Sequence, residues 1–307
     1  MLHVLYCLKL FKMRQFIVEK QKLKNGLIEL IGKDFRYLRQ VLRVKKGDML
    51  NVRLDDGSLQ STTVACVDDK TKTITLQICD GVVPCDVNVG ASLPGSSITR
   101  GTQATEIKNV FSDREFVLFQ FIPKPQKFEL IVRQATECGI NMIVPVVSEF
   151  SDANCARMFE GAKRERFERI IKEARQQSGS PVATKIVEPM RLEQAIAWWA
   201  EQGVADEKLS VALWERTDGE TPLFSLIKER KIIKNVGIAV GNEGGISPSE
   251  IKLLKEKGFF STIHFEGNIL RCETAALYGI AAVQSAIFQL REPRKKSVFR
   301  GNFEKCY

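Results

Sequence analysis

One stretch constrains this chain more than any other. The apolar run NVGIAV, residues 235–240, breaks at Gly241-Asn242-Glu243-Gly244-Gly245 and is followed at once by a helix start. Ser247, Pro248 and Glu250 fill the N-cap, first and third positions of a capping box, in which the serine and glutamate side chains satisfy each other's backbone amides. Glycines at the carboxyl end of a strand, just ahead of a helix, lie where open α/β sheets bind ligands. The spacing is neither GxGxxG nor a Walker loop, since no Lys-Ser/Thr follows to hold a triphosphate and magnesium. Three glycines let a backbone approach a ligand closely and offer amides and carbonyls rather than side chains. A ligand cradle and a purely structural tight turn both fit these residues.

A second break follows the next apolar strand, STIHF, at Glu266-Gly267-Asn268-Ile269-Leu270-Arg271-Cys272-Glu273-Thr274. Thr274 is suited to cap the closing helix, whose Ala275, Ala276, Gly279, Ala281 and Ala282 permit close helix approach. An arginine and a glutamate between strand and helix are unusual at a buried position unless paired or functional. An Arg271–Glu273 pair that merely fixes the loop is the plain alternative.

From about Glu115 onward strands and helices alternate. EFVLFQFI, MIVPVV, TKIV, LSVALW, NVGIAV and STIHF read as strands, with helices FELIVRQATECG, RERFERIIKEARQQSG and LEQAIAWWAEQG between them, each ending near a glycine. That order predicts an α/β domain with a parallel sheet covered on both faces. Before it, Met13 to about Val83 reads mainly as β, with RQFIV, DMLNVRL, STTVACV and KTITLQI as strands and Asp56-Gly57 as a hairpin turn. The exception is residues 34–44, where Phe35, Leu38, Val41 and Leu42 recur at helical spacing beside Arg36, Arg39 and Arg43. The pattern divides the chain into an extension (1–12), a small β-barrel domain (13–84), a Gly/Ser/Thr-rich linker or long loop (85–113), an α/β domain (114–291) and a basic tail (292–307).

The 307 residues suffice for two domains, and Lys plus Arg exceed Asp plus Glu by 46 to 37, a net charge of +9 that points to an anionic partner such as nucleic acid. Eight cysteines form no CxxC pair and only two histidines exist, which argues against a Cys/His zinc site, a His-dependent triad and a secreted disulfide framework. No apolar run reaches the roughly 20 residues that span a bilayer. The helix carrying Lys163, Arg164, Arg166, Arg169 and Lys172 reads as a charged exposed face, and Trp198 and Trp199 as packing residues rather than base-stacking ones.

Taken together, GNEGGISPSE and, after one strand, NILRCETAAL resemble the two signature loops of the SPOUT methyltransferases, and within them the RsmE-type 16S ribosomal RNA uridine N3-methyltransferases. ATECGI, IVPVVSEFS, the helix KRERFERIIKEARQQSG, VLRVKKGD at 41–48 and Met13-Arg14-Gln15-Phe16 resemble further segments of that family, so the likeness runs from Met13 to about Leu290 apart from the linker. Departures stand at Asn242 for the usual proline, Glu266 for a glycine now at Gly267, Asn268 for an arginine, and Ser180 for another.

The resemblance implies a trefoil-knotted methyltransferase domain behind a PUA-like β-barrel, acting with S-adenosylmethionine on 16S ribosomal RNA or the assembled small subunit as a cytoplasmic homodimer. It places the cofactor among Leu213, Trp214, Glu215, Val240, Gly241, Asn242, Glu243, Gly244, Gly245, Phe265, Glu266, Gly267, Ile269, Leu270, Arg271, Thr274 and Ala275. Methyl transfer from a sulfonium needs no metal and reduces to positioning the acceptor and removing its proton. Arg271 is the candidate for stabilising an anionic uracil, and Glu273 or Glu243 for accepting the proton or orienting Arg271. Arg14, Arg36, Arg39, Arg43, Lys45, Lys46 and Lys124 are the candidate RNA contacts. Two other classes compete: a non-catalytic RNA-binding protein on the same scaffold, against which both intact loops argue, and a Rossmann-type nucleotide enzyme, against which the glycine spacing argues.

Overall fold

Short runs of β-formers between Phe16 and Ile78 pair into a six-stranded sheet in the computed structural model, which describes residues 15–79, 113–152, 154–216, 222–265 and 268–291. The strands are β1 (Phe16–Val18), β2 (Leu23–Lys24), β3 (Leu27–Leu30), β4 (Met49–Leu54), β5 (Leu59–Asp68) and β6 (Thr73–Ile78), in the order β1-β4-β5-β6-β3-β2. β1 runs parallel to β4 and the other pairings are antiparallel. The expected hairpin joins β4 to β5, with Gly57 at φ 88° supplying the positive angle its turn needs. Phe16, Ile28, Leu30, Val52, Val64 and Leu76 form the centre of this unit's core.

The expected helix over 34–44 forms with a different phase. α1 (Gly32–Arg36) widens into a π-helical turn, Tyr37–Leu42, and stops at Arg43, which sits at φ 57°. Phe35 and Leu38 are buried, but Val41 is 64% exposed. Hydrogen bonding from i to i+5 widens the turn and rotates Val41 off the apolar face. Val44, whose amide reaches the Leu38 carbonyl at 3.1 Å, takes its place in the core.

The chain divides into two compact units. The first takes in the described residues up to Asp113 together with Glu165–Thr184, and the second holds the rest. Within the first, buried Gln15 donates from Nε2 to the carbonyls of Arg175 (2.9 Å) and Ser180 (3.0 Å). Lys172 lies 3.5 Å from Asp34 and 5.7 Å from the centre of the Phe16 ring. Residues 1–12 and 85–112, the tail 292–307 and Arg14 lie outside the described residues.

Onward from Arg114 come β7 (Glu115–Phe121), α2 (Pro125–Glu137), β8 (Met142–Val147), α3 (Gly161–Ser178), β9 (Lys185–Ile186), β10 (Met190–Arg191), α4 (Leu192–Glu201), β11 (Lys208–Leu213), α5 (Leu223–Lys228), β12 (Asn235–Val240), α6 (Pro248–Glu256), β13 (Ser261–Ile263) and α7 (Cys272–Arg291). The strands order as β10-β8-β7-β12-β11-β13, with β9 also beside β8, and every pairing is parallel. Central β7 and β12 are buried along almost their whole length, as near-continuous apolar strands covered on both faces require.

Helix ends follow the local chemistry. α2 starts at Pro125 and stops at Gly139, whose φ of 75° lets the Ile140 amide reach back to the Ala135 carbonyl at 3.0 Å. At the end of α4 the Lys208 ammonium lies 2.6 and 2.9 Å from the carbonyls of Trp199 and Ala200, a cation at the negative end of the helix dipole. Trp199 packs edge-on against Phe119 and donates to Ser210 Oγ at 2.9 Å, and Trp198 joins the same cluster, so both tryptophans serve packing. α7 begins three residues earlier than a Thr274 cap implies: Thr274 lies inside its first turn, and the Arg271 carbonyl accepts from the Ala275 amide at 2.7 Å. Among the described residues no helix is long and apolar enough to cross a membrane.

Candidate functional site

Because β12, β11 and β13 are parallel neighbours, their carboxyl ends open on the same edge of the sheet. Leu213, Trp214 and Glu215 follow β11, Val240 to Gly245 follow β12, and Ile263, His264 and Phe265 end β13. With 268–272 and Ala275 they enclose a cavity of about 480 Å³. Small-molecule sites occupy roughly 300–1,000 Å³. His264 Nδ1 lies 3.2 Å from the Trp214 carbonyl, joining two of these strand ends.

The glycine loop is built for close backbone approach. A Cβ on Gly241 would fall 2.5 Å from the carbonyl carbon of Gly245, which itself sits at φ 79°. Asn242 is buried; its Oδ1 accepts from the Gly244 amide at 2.9 Å and its Nδ2 donates to Ser148 Oγ at 3.1 Å. From β7, buried Gln120 donates to the carbonyls of Val240 (3.3 Å) and Gly241 (3.1 Å). The capping box forms as expected: Ser247 Oγ accepts from the Glu250 amide at 3.2 Å, and Glu250 Oε2 accepts from the Ser247 amide at 2.9 Å. The second Glu250 oxygen accepts from the Glu149 amide at 3.0 Å, so this buried carboxylate is fully engaged.

The second loop brings charge to the cavity. Arg271 lines it, is exposed, and makes no ion pair among the described residues; the Arg271–Glu273 pair does not form. Lys127 of α2 takes that role, its Nζ lying 3.5 Å from Glu273 Oε2 and 3.5 Å from Glu243 Oε1. Glu243 Oε1 also accepts from the Lys124 backbone amide at 3.1 Å. Glu273 Oε2 accepts from the Cys272 thiol at 3.3 Å.

Burial, then the bond to Glu273, pushes the Cys272 thiol up to about 12, so it stays protonated and acts as a donor. Burial alone would raise Glu273, but its own amide, Cys272 and Lys127 together hold its carboxyl below the ordinary range. Partial burial works to lower Lys127, and the negative charge of the Cys272, Glu243 and Glu273 cluster outweighs it, leaving the ammonium above its ordinary value.

Of the expected cofactor residues, those at 213–215, 240–245, 265, 269–271 and 275 line the cavity. Thr274 does not, Glu273 stands behind the wall, and Glu266 and Gly267 lie outside the described residues. The sequence reading missed Lys127, Ile263, His264, Asn268 and Cys272. A signal for Lys127 was present: a lysine in the first turn of a helix faces the positive end of the dipole and needs nearby carboxylates.

The candidate RNA residues divide. Arg36, Arg43, Lys45 and Lys46 are exposed, whereas Arg39 is held in a bidentate pair with Asp69 at 3.0 and 2.8 Å. Lys124 is exposed at the N-cap of α2 and lies outside the cavity wall; its backbone amide, not its ammonium, meets Glu243.

Comparison with known proteins bears on this site. The model of the RNA methyltransferase domain family matches residues 112–284. The chain is 27% identical over 273 residues to ribosomal RNA small subunit methyltransferase E 2 of Borreliella burgdorferi, spanning 88% of this chain and 96% of that protein. It is 31% identical over 176 residues to ribosomal RNA small subunit methyltransferase E of Aquifex aeolicus, spanning 56% and 69%. In fold it is similar to a crystal structure of a ribosomal RNA small subunit methyltransferase E from Neisseria gonorrhoeae bound to S-adenosylmethionine, with TM-score 0.64 and 17% identity over 89% of this chain and 98% of that one.

Proposed function

The chain belongs to the RNA methyltransferase domain family, in its ribosomal RNA small subunit methyltransferase E group, and from that membership we propose that it transfers a methyl group from S-adenosylmethionine to N3 of a uridine in 16S ribosomal RNA. One observation carries the reading: three adjacent parallel strands end on a single cavity walled by the backbone of Gly241–Gly245 and by Arg271.

The residues present fit that cofactor. The Gly241–Gly245 contact leaves no room for a side chain and presents backbone groups, while Leu213, Val240, Ile269 and Leu270 add apolar surface. The indole N–H of Trp214 is buried without a partner among the described residues, a donor a ligand can satisfy. The strand-end residues 213–215, the loop 240–245, and Phe265, Ile269, Leu270, Arg271 and Ala275 would hold it. When bound, S-adenosylmethionine supplies a methyl group on a sulfonium sulfur, already activated for transfer to nitrogen.

The protein's part is to bind and orient the uridine and to deal with its N3 proton. Arg271, which lines the cavity and makes no ion pair among the described residues, would stabilise the negative charge that develops on the uracil. Glu243 and Glu273 are the available proton acceptors, and Cys272, held protonated, is no nucleophile. Capture of 16S ribosomal RNA, or of the assembled small subunit, falls to Arg14, Arg36, Arg39, Arg43, Lys45, Lys46 and Lys124. The same reading includes a trefoil-knotted domain, a homodimer and a cytoplasmic location.

The test is incorporation of label from methyl-labelled S-adenosylmethionine into small subunits, and separately into free 16S ribosomal RNA, prepared from cells lacking the modification. Label recovered as 3-methyluridine after digestion is the expected result. No incorporation, or label on another base or on ribose, rejects the assignment.

A further inference from the structure

Lys127 stands where an isolated lysine is disfavoured. It occupies the first turn of α2, against the positive end of the helix dipole, yet its ammonium bridges two carboxylates at 3.5 Å each and lines the cavity beside Arg271. Resting on the methyltransferase reading above, we propose that Lys127 is a positioning residue, which holds Glu243 so that Glu243, rather than Glu273, takes the N3 proton of the bound uridine.

The two carboxylates are not equivalent. Glu243 is in the cavity wall, with its side chain 32% exposed. Its Oε1 is anchored twice, by the Lys124 amide at 3.1 Å and by Lys127, and its Oε2 carries no hydrogen bond or ion pair among the described residues. Glu273 is outside the wall and only 15% exposed, with its Oε2 engaged by both Lys127 and the Cys272 thiol. Its carboxyl is held below the ordinary range. Without the intervening ammonium the two negative charges would repel, and Glu243 would lose the anchor that fixes its rotamer. In the step itself the N3–H proton passes to Glu243 Oε2, the N3 lone pair is freed, and the resulting neutral carboxyl returns the proton to solvent through its exposed side.

The full chain and small subunits test this with Lys127→Met and Lys127→Arg. Lys127→Met is expected to lower kcat about 10- to 100-fold, a share of the roughly 100- to 10,000-fold that acid–base catalysis supplies, with cofactor KM changed less than about twofold. Lys127→Arg, which keeps the charge, restores most of the rate. In a Glu243→Gln background Lys127→Met causes no further loss, because its partner is already gone.

A Lys127→Met enzyme with wild-type kcat overturns the proposal, and so does a full additional loss in the Glu243→Gln background. Should Lys127→Met fail to fold by its thermal transition, Lys127→Gln carries the same comparison. Wild-type protein that forms 3-methyluridine while the Lys127 variants behave normally sinks this inference alone. Wild-type protein that forms none sinks the functional reading, and this inference with it.

Discussion

Asn242 donates from its Nδ2 to the hydroxyl of Ser148 at 3.1 Å, joining the glycine loop to the end of β8 across 94 positions of sequence. Its Oδ1 accepts from the Gly244 amide at 2.9 Å, so one side chain both shapes the turn and anchors it. Where the resembled family carries a proline that stiffens the backbone, this chain reaches rigidity through side-chain bonds. Asn242→Ala removes both, each contributing about 1 kcal/mol. Cofactor Kd, by calorimetry, is expected to rise by up to about 30-fold, since about 1.4 kcal/mol is tenfold. An unchanged Kd would show that the loop is held by Gln120 and the capping box alone.

Arg271 lines the cavity with no ion pair among the described residues, so its charge is available to a substrate. Arg271→Ala is expected to cut kcat about 100-fold or more, as loss of a transition-state donor does, while cofactor Kd stays within about twofold. Equal losses in turnover and affinity would assign Arg271 to binding instead.

Glu273 gives a pH signature. A carboxyl depressed in the folded state adds stability at pH above its unfolded value of about 4.3, and that contribution is lost as pH falls through the lower folded value. The depression here comes from its own amide, Cys272 and Lys127, working against burial. The wild-type advantage over Glu273→Gln in urea unfolding is therefore expected to be complete at pH 7 and to shrink steadily below about pH 4.3. A difference that stays constant down to pH 3 would mean that the Lys127 cluster does not hold the charged form.

How far the sequence could be read depended on the range of the interactions involved. The parallel strands, the Asp56-Gly57 hairpin and the Ser247–Glu250 box were legible because each is local: a run of apolar residues, a turn pair, a cap with its partner three residues on. The phase of the helix after Phe35 was not, because a 3.6-residue period cannot foresee the π turn that exposes Val41 and buries Val44. Thr274 as a cap failed for a related reason: the helix starts at Cys272, and cap chemistry alone does not fix a boundary to within two residues. The association of Glu165–Thr184 with the first unit depends on contacts more than a hundred positions apart, such as Gln15 to Arg175, which no local pattern encodes, and for Lys127 the local pattern marks an awkward place in a first helical turn without naming its partners.

Lys45 and Lys46 follow the left-handed Arg43 on the surface of the first unit, exposed and free of ion pairs to any described residue. If they neutralise RNA phosphates, each releases counterions on binding. The double change Lys45→Gln and Lys46→Gln is then expected to reduce the slope of log affinity against log salt by about 1.4 to 1.8. Binding to 16S fragments at several salt concentrations measures it. A parallel shift at unchanged slope would place these lysines off the RNA.

Arg175 is 7% exposed in the first unit; among the described residues its Nε has no partner and its Nη2 reaches only the Pro181 carbonyl, at 3.4 Å. Burial, and then the positive charge of Arg53, lower its pKa; Arg53 is lowered by burial as well and spends its own donors on Gln15 and Gly57. No described carboxylate pairs with either guanidinium. A buried charge without a counter-charge costs more in desolvation than it returns, whereas an apolar chain of similar length keeps the packing of the aliphatic stem. Arg175→Met is therefore expected to raise the free energy of urea unfolding by about 1–2 kcal/mol, within the range seen when buried ionic groups give way to apolar ones. A loss of similar size would show that the guanidinium bonds to the Pro181 carbonyl more strongly than its 3.4 Å separation allows.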